Sequence, residues 1–286
     1  MTNAPLRDII QRYELGARKS LGQHFLLDLN LTARIVRAAG DLTGVTVIEI
    51  GPGPGGLTRA LLDSPAREVV AIERDHRCIA ALGELRDNGG GRLRIIEGDA
   101  MAIDVTALTP APRAIVANLP YNISTALLVG WLARIEAFDS LTLMFQKEVA
   151  DRLAAKPGTK AYGRLSVVCQ WRAEVRPQFN LPARAFTPPP KVMSTVVRLT
   201  PRLDPPPAPW AAFERVTAAA FGQRRKMLRA SLRTLGCAEH LLEVTGITPT
   251  ARAEEIDVAG FAALARALAD AESGSAASIN TKPVDA

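Results

Sequence analysis

The strongest constraint on the fold is an alternation of short apolar segments with amphipathic ones along the first half of the chain. Strands that are apolar on both faces are typical of a parallel sheet covered by helices on both sides. The predicted strands are 46–50, 68–73, 92–100 and 114–120, the predicted helices are 28–39, 57–63, 76–87 and 124–135, and 141–155 is predicted as a strand that passes into a helix. We therefore expect an α/β fold with a doubly wound, Rossmann-like sheet.

The second half of the chain changes character at a proline-dense stretch. Two segments before it, 164–177 and 194–201, alternate polar and apolar residues and are predicted as antiparallel strands at the sheet edge. The stretch itself, at 200–209, cannot continue a strand or a helix. We expect a first domain over residues 1–200, a small all-helical domain over 208–271 and a disordered tail over 272–286.

The composition restricts the class of protein without deciding its function. Lys and Arg outnumber Asp and Glu by 35 to 29, for a net charge of +6; this suits a polyanionic partner but is as common in basic enzymes that bind no nucleic acid. The three cysteines are too far apart for a zinc site or a disulfide framework. No apolar stretch is long enough to span a bilayer, and no apolar segment follows the basic residues near the N-terminus as it would in a signal peptide. We expect a reduced, cytoplasmic, monomeric protein with no metal and no membrane association.

A glycine-rich turn follows the first predicted strand directly, in the sequence IEIGPGPGG at 48–56. Gly51, Gly53 and Gly55 allow a tight turn and let a ligand approach the backbone. Gly51, Gly53 and Gly56 also match the GxGxxG pattern, so a nicotinamide or flavin dinucleotide has to be considered.

The residues around these glycines argue against a dinucleotide. A pyrophosphate is held by backbone N–H groups at a helix N-terminus, and Pro52 and Pro54 each remove one such donor. Glu49, at the end of the strand, would repel a diphosphate but would attract a cationic methionine group. S-adenosylmethionine carries a sulfonium and an ammonium group and no phosphate. The loop therefore favours S-adenosylmethionine, with Glu49, Gly51 and Gly53 as candidate cofactor-binding residues.

Two more acidic residues stand at the ends of the second and third predicted strands. Glu73 stands 22 positions after Gly51, close to the spacing at which a carboxylate accepts both hydrogen bonds of a ribose diol. Asp99 falls on the same carboxyl edge of the sheet, where it could accept from the adenine amino group of the cofactor. The alternatives are a solvated carboxylate for Glu73 and a helix N-cap in a turn for Asp99.

The tetrapeptide NLPY at 118–121 stands at the end of the fourth predicted strand. Adenine N6 is a weak nucleophile because its lone pair is delocalised into the ring, and two acceptors on its amino hydrogens would localise that pair. The Asn118 side chain and the Leu119 backbone carbonyl can be these acceptors, while Pro120 biases Leu119 to an extended conformation. Tyr121 offers a flat face for stacking an extruded base. Four such residues also occur by chance in ordinary turns, but their place in a methyl-donor fold favours methyl transfer to adenine by positioning.

Five ordered motifs resemble those of the ribosomal RNA adenine dimethyltransferase family, in particular its bacterial small-subunit members. The motifs are SLGQHFL (20–26), EIGPGPG (49–55), NLPYNIS (118–124), QKEVADRL with KAYGRLSV (146–153 and 160–167) and FTPPPKVMS (186–194). The resemblance runs from about Gly16 to Asp270. It implies a Rossmann-like S-adenosylmethionine-dependent methyltransferase domain followed by a small C-terminal all-helical domain.

The resemblance also implies roles for individual residues. The implied cofactor contacts are Leu26, Gly51, Glu73, Asp99, Asn118 and the residue at position 24. Family members usually have Asn there; this chain has His24, which lacks that side chain but could keep a backbone contact. Phe186 is implied to stack on the target adenine opposite Tyr121. Without the resemblance, an aromatic residue beside a proline turn would be interpreted as part of the core.

The implied substrate is 16S ribosomal RNA within the immature 30S subunit. Small-subunit members dimethylate two adjacent adenines in the loop of the 3′-terminal hairpin, and loops with splayed bases are the usual targets of sequence-specific RNA recognition. Two alternatives remain: a resistance-type methyltransferase that acts on large-subunit RNA, and a non-catalytic assembly or transcription factor on the same scaffold.

A cluster of basic residues provides a candidate RNA surface. The segment 221–235 is predicted as one helix with Arg225, Lys226, Arg229 and Arg233 away from its apolar face. Such a surface could bind phosphates, although a charged helix face is more often simply solvated. Arg18 and Lys19 suggest a second basic segment that could close over cofactor and RNA.

Overall fold

The structure is a computed structural model that describes residues 4–16, 23–88 and 90–279. The chain divides into two compact units. The first comprises Met1–Ala150 and Glu174–Pro201, and the second comprises Asp151–Ala173 and Arg202–Ala286. The later boundary falls within the proline-dense stretch, whereas residues 151–173, expected in the first domain, belong to the second unit.

Within the described residues, the first unit is built on a seven-stranded sheet and a separate antiparallel pair of short strands. The strands of the sheet are β2 (Thr46–Ile50), β3 (Glu68–Glu73), β4 (Leu93–Glu97), β5 (Arg113–Ala117), β6 (Ser140–Gln146), β7 (Ala173–Leu181) and β9 (Ser194–Pro201), and the pair consists of β1 (Phe25–Leu26) and β8 (Phe186–Thr187).

The order of the strands confirms a doubly wound α/β sheet. It runs β4-β3-β2-β5-β6-β9-β7, with parallel pairing from β4 to β6 and antiparallel pairing of β9 with β6. The chain moves from β2 toward one edge through β3 and β4, and then toward the other edge from β5. The carboxyl ends of β2 and β5 therefore flank the point at which the order reverses, where open α/β sheets bind their ligands.

The central strands are buried on both faces, as their mostly apolar sequences predict. All five residues of β2 are buried, and Val47, Val69 and Ala114 share one face because they stand in register on three neighbouring strands. That face packs against Ile35 and Leu61 of the covering helices. The helices of this unit are α1 (Leu6–Arg12), α2 (Leu29–Ala38), α3 (Gly56–Leu62), α4 (His76–Asn88), α5 (Val105–Leu108) and α6 (Tyr121–Leu132), and α7 (Lys147–Leu153) crosses into the second unit.

The second unit is helical throughout its described regular elements. Its helices are α8 (Arg164–Arg172), α9 (Trp210–Gly222), α10 (Leu228–Ser231), α11 (Ala238–Thr245) and α12 (Val258–Ile279). Trp171 lies at its centre, with its ring centroid 3.8 Å from that of Phe213 and 5.6 Å from that of Trp210. The Tyr162 hydroxyl donates to the Ile256 carbonyl at 2.9 Å and fixes the entry into α12.

Three local predictions are wrong. Residues 164–172 form α8 instead of a strand; the helix buries residues on most sides, including Ser166, Val167 and Cys169, which hides its amphipathic period. The segment 221–235 is not one helix, because α9 ends at Gly222 and α10 begins at Leu228. Residues 272–279 are helical instead of disordered, since α12 continues to Ile279.

The remaining parts of two predictions lie outside the described residues. These are Arg18 and Lys19 of the first basic segment, and residues 280–286 of the tail. In the described part of the chain, no helix combines the length and apolar character needed to cross a bilayer. No three His, Cys, Asp or Glu side chains gather there as a metal ion would need.

Candidate active site

A cleft opens at the carboxyl edge of the sheet, where β2 to β5 end. It encloses about 900 Å³ of space, including the part open to solvent. The predicted cofactor residues all line it, namely His24, Leu26, Glu49, Gly51, Gly53, Glu73, Asp99 and Asn118. Leu119, Pro120 and Tyr121 line the same cleft.

The glycine loop has its own N–H groups engaged within the protein. Gly51 donates to the Ile72 carbonyl at 2.9 Å and Gly55 to the Pro52 carbonyl at 3.1 Å, while Gly53 donates to the Glu73 carboxylate at 3.1 Å. The prolines between these glycines have no N–H to offer. These three N–H groups are therefore unavailable to a pyrophosphate, which disfavours a dinucleotide.

Glycine at position 56 lets the short strand β1 approach the loop. A Cβ atom on Gly56 would collide with the Leu26 backbone carbonyl, and one on Gly53 would stand 2.9 Å from the Phe25 ring. Gly53 also has a φ of +55°, which side chains rarely adopt. These glycines bring Phe25 and Leu26 against the cofactor side of the cleft.

Glu73 is held in place by the backbone around it. One carboxylate oxygen accepts from the N–H of Gly53 at 3.1 Å, and the other accepts from those of Arg74 at 2.9 Å and Asp75 at 3.0 Å. Burial raises the pKa of this carboxyl group above its usual value, although the three N–H groups counteract the shift. The result is a fixed, dehydrated acceptor at the end of β3, which suits a ribose diol.

Glu49 is buried at the end of β2, where its carboxylate accepts from the Thr58 hydroxyl at 2.7 Å. Burial raises its pKa to about 8, with a smaller contribution from the negative charge of Glu73. A cation placed in the cleft would stabilise the ionised form of both carboxylates. The role of Glu49 toward a cationic cofactor stays a prediction.

Asp99 shapes a turn and lies at the cleft. One oxygen accepts from the Met101 N–H at 2.9 Å and shapes the turn after β4. The other lies 3.7 Å from the Arg74 guanidinium. Because the residue also lines the cleft, its turn-forming role leaves it available to a ligand.

The Asn118 amide has one defined orientation. Its Nδ2 donates to the His24 backbone carbonyl at 3.0 Å. A carbonyl can only accept, so this bond assigns Nδ2 and leaves the side-chain oxygen Oδ1 as the acceptor. Pro120, with φ −56° and ψ 125°, caps the N-terminus of α6 and restricts Leu119 before it.

Tyr121 is anchored at its hydroxyl. The hydroxyl lies 2.6 Å from the buried Ser194 hydroxyl, and burial raises the pKa of the phenol. On the other side, the His24 ring lies with its centroid 5.6 Å away, tilted by 31°. Tyr121 is therefore a fixed aromatic platform at the cleft.

Phe186 does not line the cleft. It is 2% exposed, stands opposite Leu26 in the β1–β8 pair and belongs to the apolar core that includes Leu181 and Val196. This is the core placement that the local sequence favoured before the resemblance was considered. The stacking role stays a prediction, and in this conformation the ring is not available for it.

The four basic candidate residues lie in the second unit. Arg225, Lys226, Arg229 and Arg233 are all exposed, around the turn and the short helices that replace the predicted continuous helix. Their exposure is consistent with either a phosphate-binding or a solvated surface.

Several cleft residues were missed by sequence reasoning. Gln23, Ile72, Arg74, Ala100 and Ile123 also line the cleft. Four of these adjoin a predicted site residue along the chain, and proximity to His24, Glu73 or Asp99 was the available signal. Ile123 could have been found from the helix that follows the tetrapeptide.

Comparison with known proteins decides the family. The sequence model described as ribosomal RNA adenine dimethylase matches residues 15–270. The chain belongs to this family. The predictions of a Rossmann-like fold, of a methyltransferase and of S-adenosylmethionine as its methyl donor are thereby confirmed.

Relatives of the same family are similar over nearly their whole length. The chain is 69% identical to ribosomal RNA small subunit methyltransferase A of Paramagnetospirillum magneticum, over 92% of this chain and 94% of the relative. It is 64% identical to the protein of that name from Rhodospirillum rubrum, over 92% of each. Among solved structures, a dimethyladenosine transferase from Plasmodium falciparum is 28% identical, with a TM-score of 0.74 over 84% of this chain and 96% of that one.

The residues of the cleft fit S-adenosylmethionine. The acceptors at the strand ends are two buried carboxylates, Glu49 and Glu73, and the partly exposed carboxylate of Asp99. The N–H groups of Gly51, Gly53 and Gly55 are already bonded within the protein. A ligand with a diol, an adenine amino group and positive charge matches this set of acceptors, whereas a diphosphate does not.

Proposed function

We propose that the protein transfers methyl groups from S-adenosylmethionine to N6 of two adjacent adenines in the 3′-terminal hairpin loop of 16S ribosomal RNA, giving N6,N6-dimethyladenines. The observation that carries the proposal is the fixed Asn118 amide, whose oxygen is left as an acceptor by the bond from Nδ2 to the His24 carbonyl. The identity of 69% to a small subunit methyltransferase supports the choice of RNA.

The chain acts mainly by positioning. The Asn118 Oδ1 and the Leu119 carbonyl accept the two amino hydrogens of the adenine, which localises the N6 lone pair. Tyr121, fixed through Ser194, stacks on the base and holds its plane. Alignment of this kind contributes about 7–11 kcal/mol in well-oriented reactions without any acid or base.

The cofactor is held by the strand ends. Glu73 accepts from the ribose diol, Asp99 accepts from the adenine amino group, and Glu49 offers its charge to the cationic methionine end. Leu26, Gly51 and Gly53 complete the cradle through their backbone and shape. Bound there, the cofactor supplies an electrophilic methyl group.

Dimethylation requires that the monomethylated base can bind in the site for a second transfer. Asn118 is neutral and offers an acceptor rather than a charge, so loss of one N6–H removes one hydrogen bond without leaving a buried ion unpaired. This supports two successive transfers at one site.

The second unit is proposed to bind the RNA backbone. Arg225, Lys226, Arg229 and Arg233 are exposed and would contact phosphates within the immature 30S subunit. We propose further that the protein acts as a cytoplasmic monomer.

A methyl-transfer assay tests the proposal. Labelled S-adenosylmethionine is supplied with naked 16S RNA, immature 30S, mature 30S or 23S RNA, and the products are digested to nucleosides. We expect N6,N6-dimethyladenosine from immature 30S above all. Label in 23S RNA would instead favour the large-subunit alternative, which has its own support: the 23S rRNA methyltransferase ErmE is 27% identical with a TM-score of 0.66, over 86% of this chain and 99% of that one.

A further inference from the structure

His24 makes three contacts that join separate parts of the cleft. We infer that His24 is a positioning residue, whose ring fixes the loop after β8 against the tetrapeptide that receives the adenine. The inference rests on the proposed function for its kinetic consequence, but the contacts themselves are independent of it.

The backbone of His24 orients Asn118. Its carbonyl accepts from Asn118 Nδ2 at 3.0 Å. The strand that follows, Phe25–Leu26, is paired with Phe186–Thr187. A shift of the loop after β8 would therefore reach the Asn118 amide through β1.

The ring of His24 provides a second link between the loop after β8 and the segment that contains His24. Its Nδ1 lies 2.8 Å from the Pro188 carbonyl. Since the carbonyl oxygen only accepts, Nδ1 must carry a proton and donate. The bond assigns the less common tautomer whenever the ring is neutral, with Nδ1 protonated and Nε2 free of hydrogen.

The third contact is with the base platform. The His24 ring lies 5.6 Å from the Tyr121 ring, and the Tyr121 hydroxyl is bound to Ser194 at the far end of the same loop. Tyr121 is thus held on two sides. The His24 ring, which is bonded to Pro188, lies on one side, and Ser194 binds the hydroxyl on the other. Loss of the His24 bond should loosen the platform on one side only, while the backbone contact with the cofactor that is predicted at position 24 is kept.

The bond can be tested separately from the ring. The Nδ2 of an Asn side chain, like the Nδ1 of His, is attached to Cγ, so His24→Asn can keep the donor to Pro188 while it removes the ring. His24→Phe keeps a ring beside Tyr121 and removes the donor, and His24→Ala removes both. His76, an exposed residue at the start of α4, provides the control variant His76→Ala.

The kinetic test measures methyl transfer to immature 30S and the Kd of S-adenosylmethionine for each variant. We expect kcat to fall about tenfold in His24→Ala and in His24→Phe, to recover most of its value in His24→Asn, and to be unchanged in His76→Ala. The Kd of the cofactor should stay within about twofold in His24→Ala, His24→Phe and His76→Ala, because the ring acts on the base side. Equal kcat in wild type and His24→Ala, recovery in His24→Phe but not in His24→Asn, or a parallel rise of the Kd would overturn the inference.

A spectroscopic measurement is independent of activity. The chain has only three histidines, so the imidazole nitrogens can be assigned in the full-length protein by ¹⁵N-detected NMR with His24→Asn as the reference. At a pH where the ring is neutral, we expect a protonated Nδ1 for His24. A protonated Nε2 with a bare Nδ1 would refute the bond to Pro188. Absence of methyl transfer by the wild type would refute the proposed function and leave this result untouched.

Discussion

Two carboxyl groups in the cleft, those of Glu49 and Glu73, have raised pKa values, because burial disfavours their charged forms. In the free protein at neutral pH, the ionised form of such a buried carboxyl group is unfavourable. The ionised form becomes favourable once a cation is bound, because the negative charge then has an oppositely charged partner. The two buried carboxyl groups thus favour a positively charged ligand.

This preference predicts a pH dependence of cofactor binding. With a pKa of about 8, the Glu49 carboxyl is mainly protonated in the free protein at pH 7, and a bound cation favours its ionised form. Binding must therefore release a proton below pH 8, so the affinity for S-adenosylmethionine should rise with pH, by up to about tenfold per unit, and level off above 8. Calorimetry between pH 6 and pH 9, in buffers of different ionisation enthalpy, measures both the Kd and the released protons.

Glu49→Gln is the matched control for this measurement. Its amide cannot ionise, so any remaining pH dependence belongs to the cofactor or to other groups. We expect weaker binding above pH 8 and less proton release than in the wild type. Superimposable pH profiles for the two proteins would show that Glu49 does not face the cationic end of the cofactor.

Asn118 should matter for the reaction far more than for the fold. Asn118→Ala removes the acceptor for the adenine amino group and one hydrogen bond to the His24 carbonyl. We expect kcat to fall by about 10²-fold or more, with a loss of stability of only about 1 kcal/mol. Single-turnover methyl transfer and urea unfolding measure the two effects.

Asn118→Asp refines that prediction. The aspartate keeps an acceptor but directs a second oxygen at the His24 carbonyl, so the orientation of the side chain is lost. Transfer should be impaired as severely as in Asn118→Ala. Near-wild-type activity of either variant would rule out the amide as the residue that aligns N6.

At the scale of the elements, the central strands were the most predictable part of the molecule. The segment 46–50 is β2 and 68–73 is β3, residue for residue, because strands buried on both faces are short runs of mostly apolar, β-branched residues. The glycine loop and the tetrapeptide were placed correctly for the same reason: each directly follows such a strand. Site residues at strand ends are therefore accessible to sequence reasoning.

What could not be predicted depends on contacts between distant residues. The break in the helix after Gly222 is stabilised by backbone bonds from Leu228 to Ala251 at 2.8 Å and from Arg229 to Pro249 at 3.1 Å, which no local pattern reveals. The bond from Asn118 to the His24 carbonyl spans 94 positions. The core placement of Phe186 likewise follows from its pairing with Leu26.

The approach of β1 to the glycine loop gives a prediction at this scale. In Gly56→Ala the new Cβ meets the Leu26 backbone carbonyl, and backbone atoms cannot move aside as a flexible side chain can. We expect a loss of about 1–3 kcal/mol of stability and weaker binding of S-adenosylmethionine, because Leu26 lines the cleft. Urea unfolding and calorimetry provide the two measurements.

The chain offers a matched control for this substitution. Gly83 lies inside α4, and a Cβ there would meet nothing within 4 Å. Gly83→Ala should therefore stabilise the protein by about 0.5–1 kcal/mol through the helix preference of alanine. A similar effect of both substitutions would mean that the approach of β1 to the loop is not tight.

For the whole molecule, the two units divide the proposed work. The first contains every residue of the cleft, and the second contains the four exposed basic candidates. The cleft selects a base by fixed acceptors, whereas phosphate contacts supply affinity that depends on charge and salt. The two contributions can therefore be separated by experiment.

The salt dependence of RNA binding tests the role of the second unit. If Arg229 contacts a phosphate, Arg229→Gln should reduce the slope of log K against log salt by about 0.7–0.9 and leave the Kd of S-adenosylmethionine unchanged. Arg86→Gln removes one exposed charge from the first unit, where Arg86 is paired with Asp87, and should not alter the slope. Replacing Arg225, Lys226 and Arg233 as well should reduce the slope by a similar amount per phosphate contact. The slopes are measured with the 3′-terminal hairpin of 16S RNA. Equal slopes for wild type and the fourfold variant would show that these four residues are solvated and do not contact the RNA.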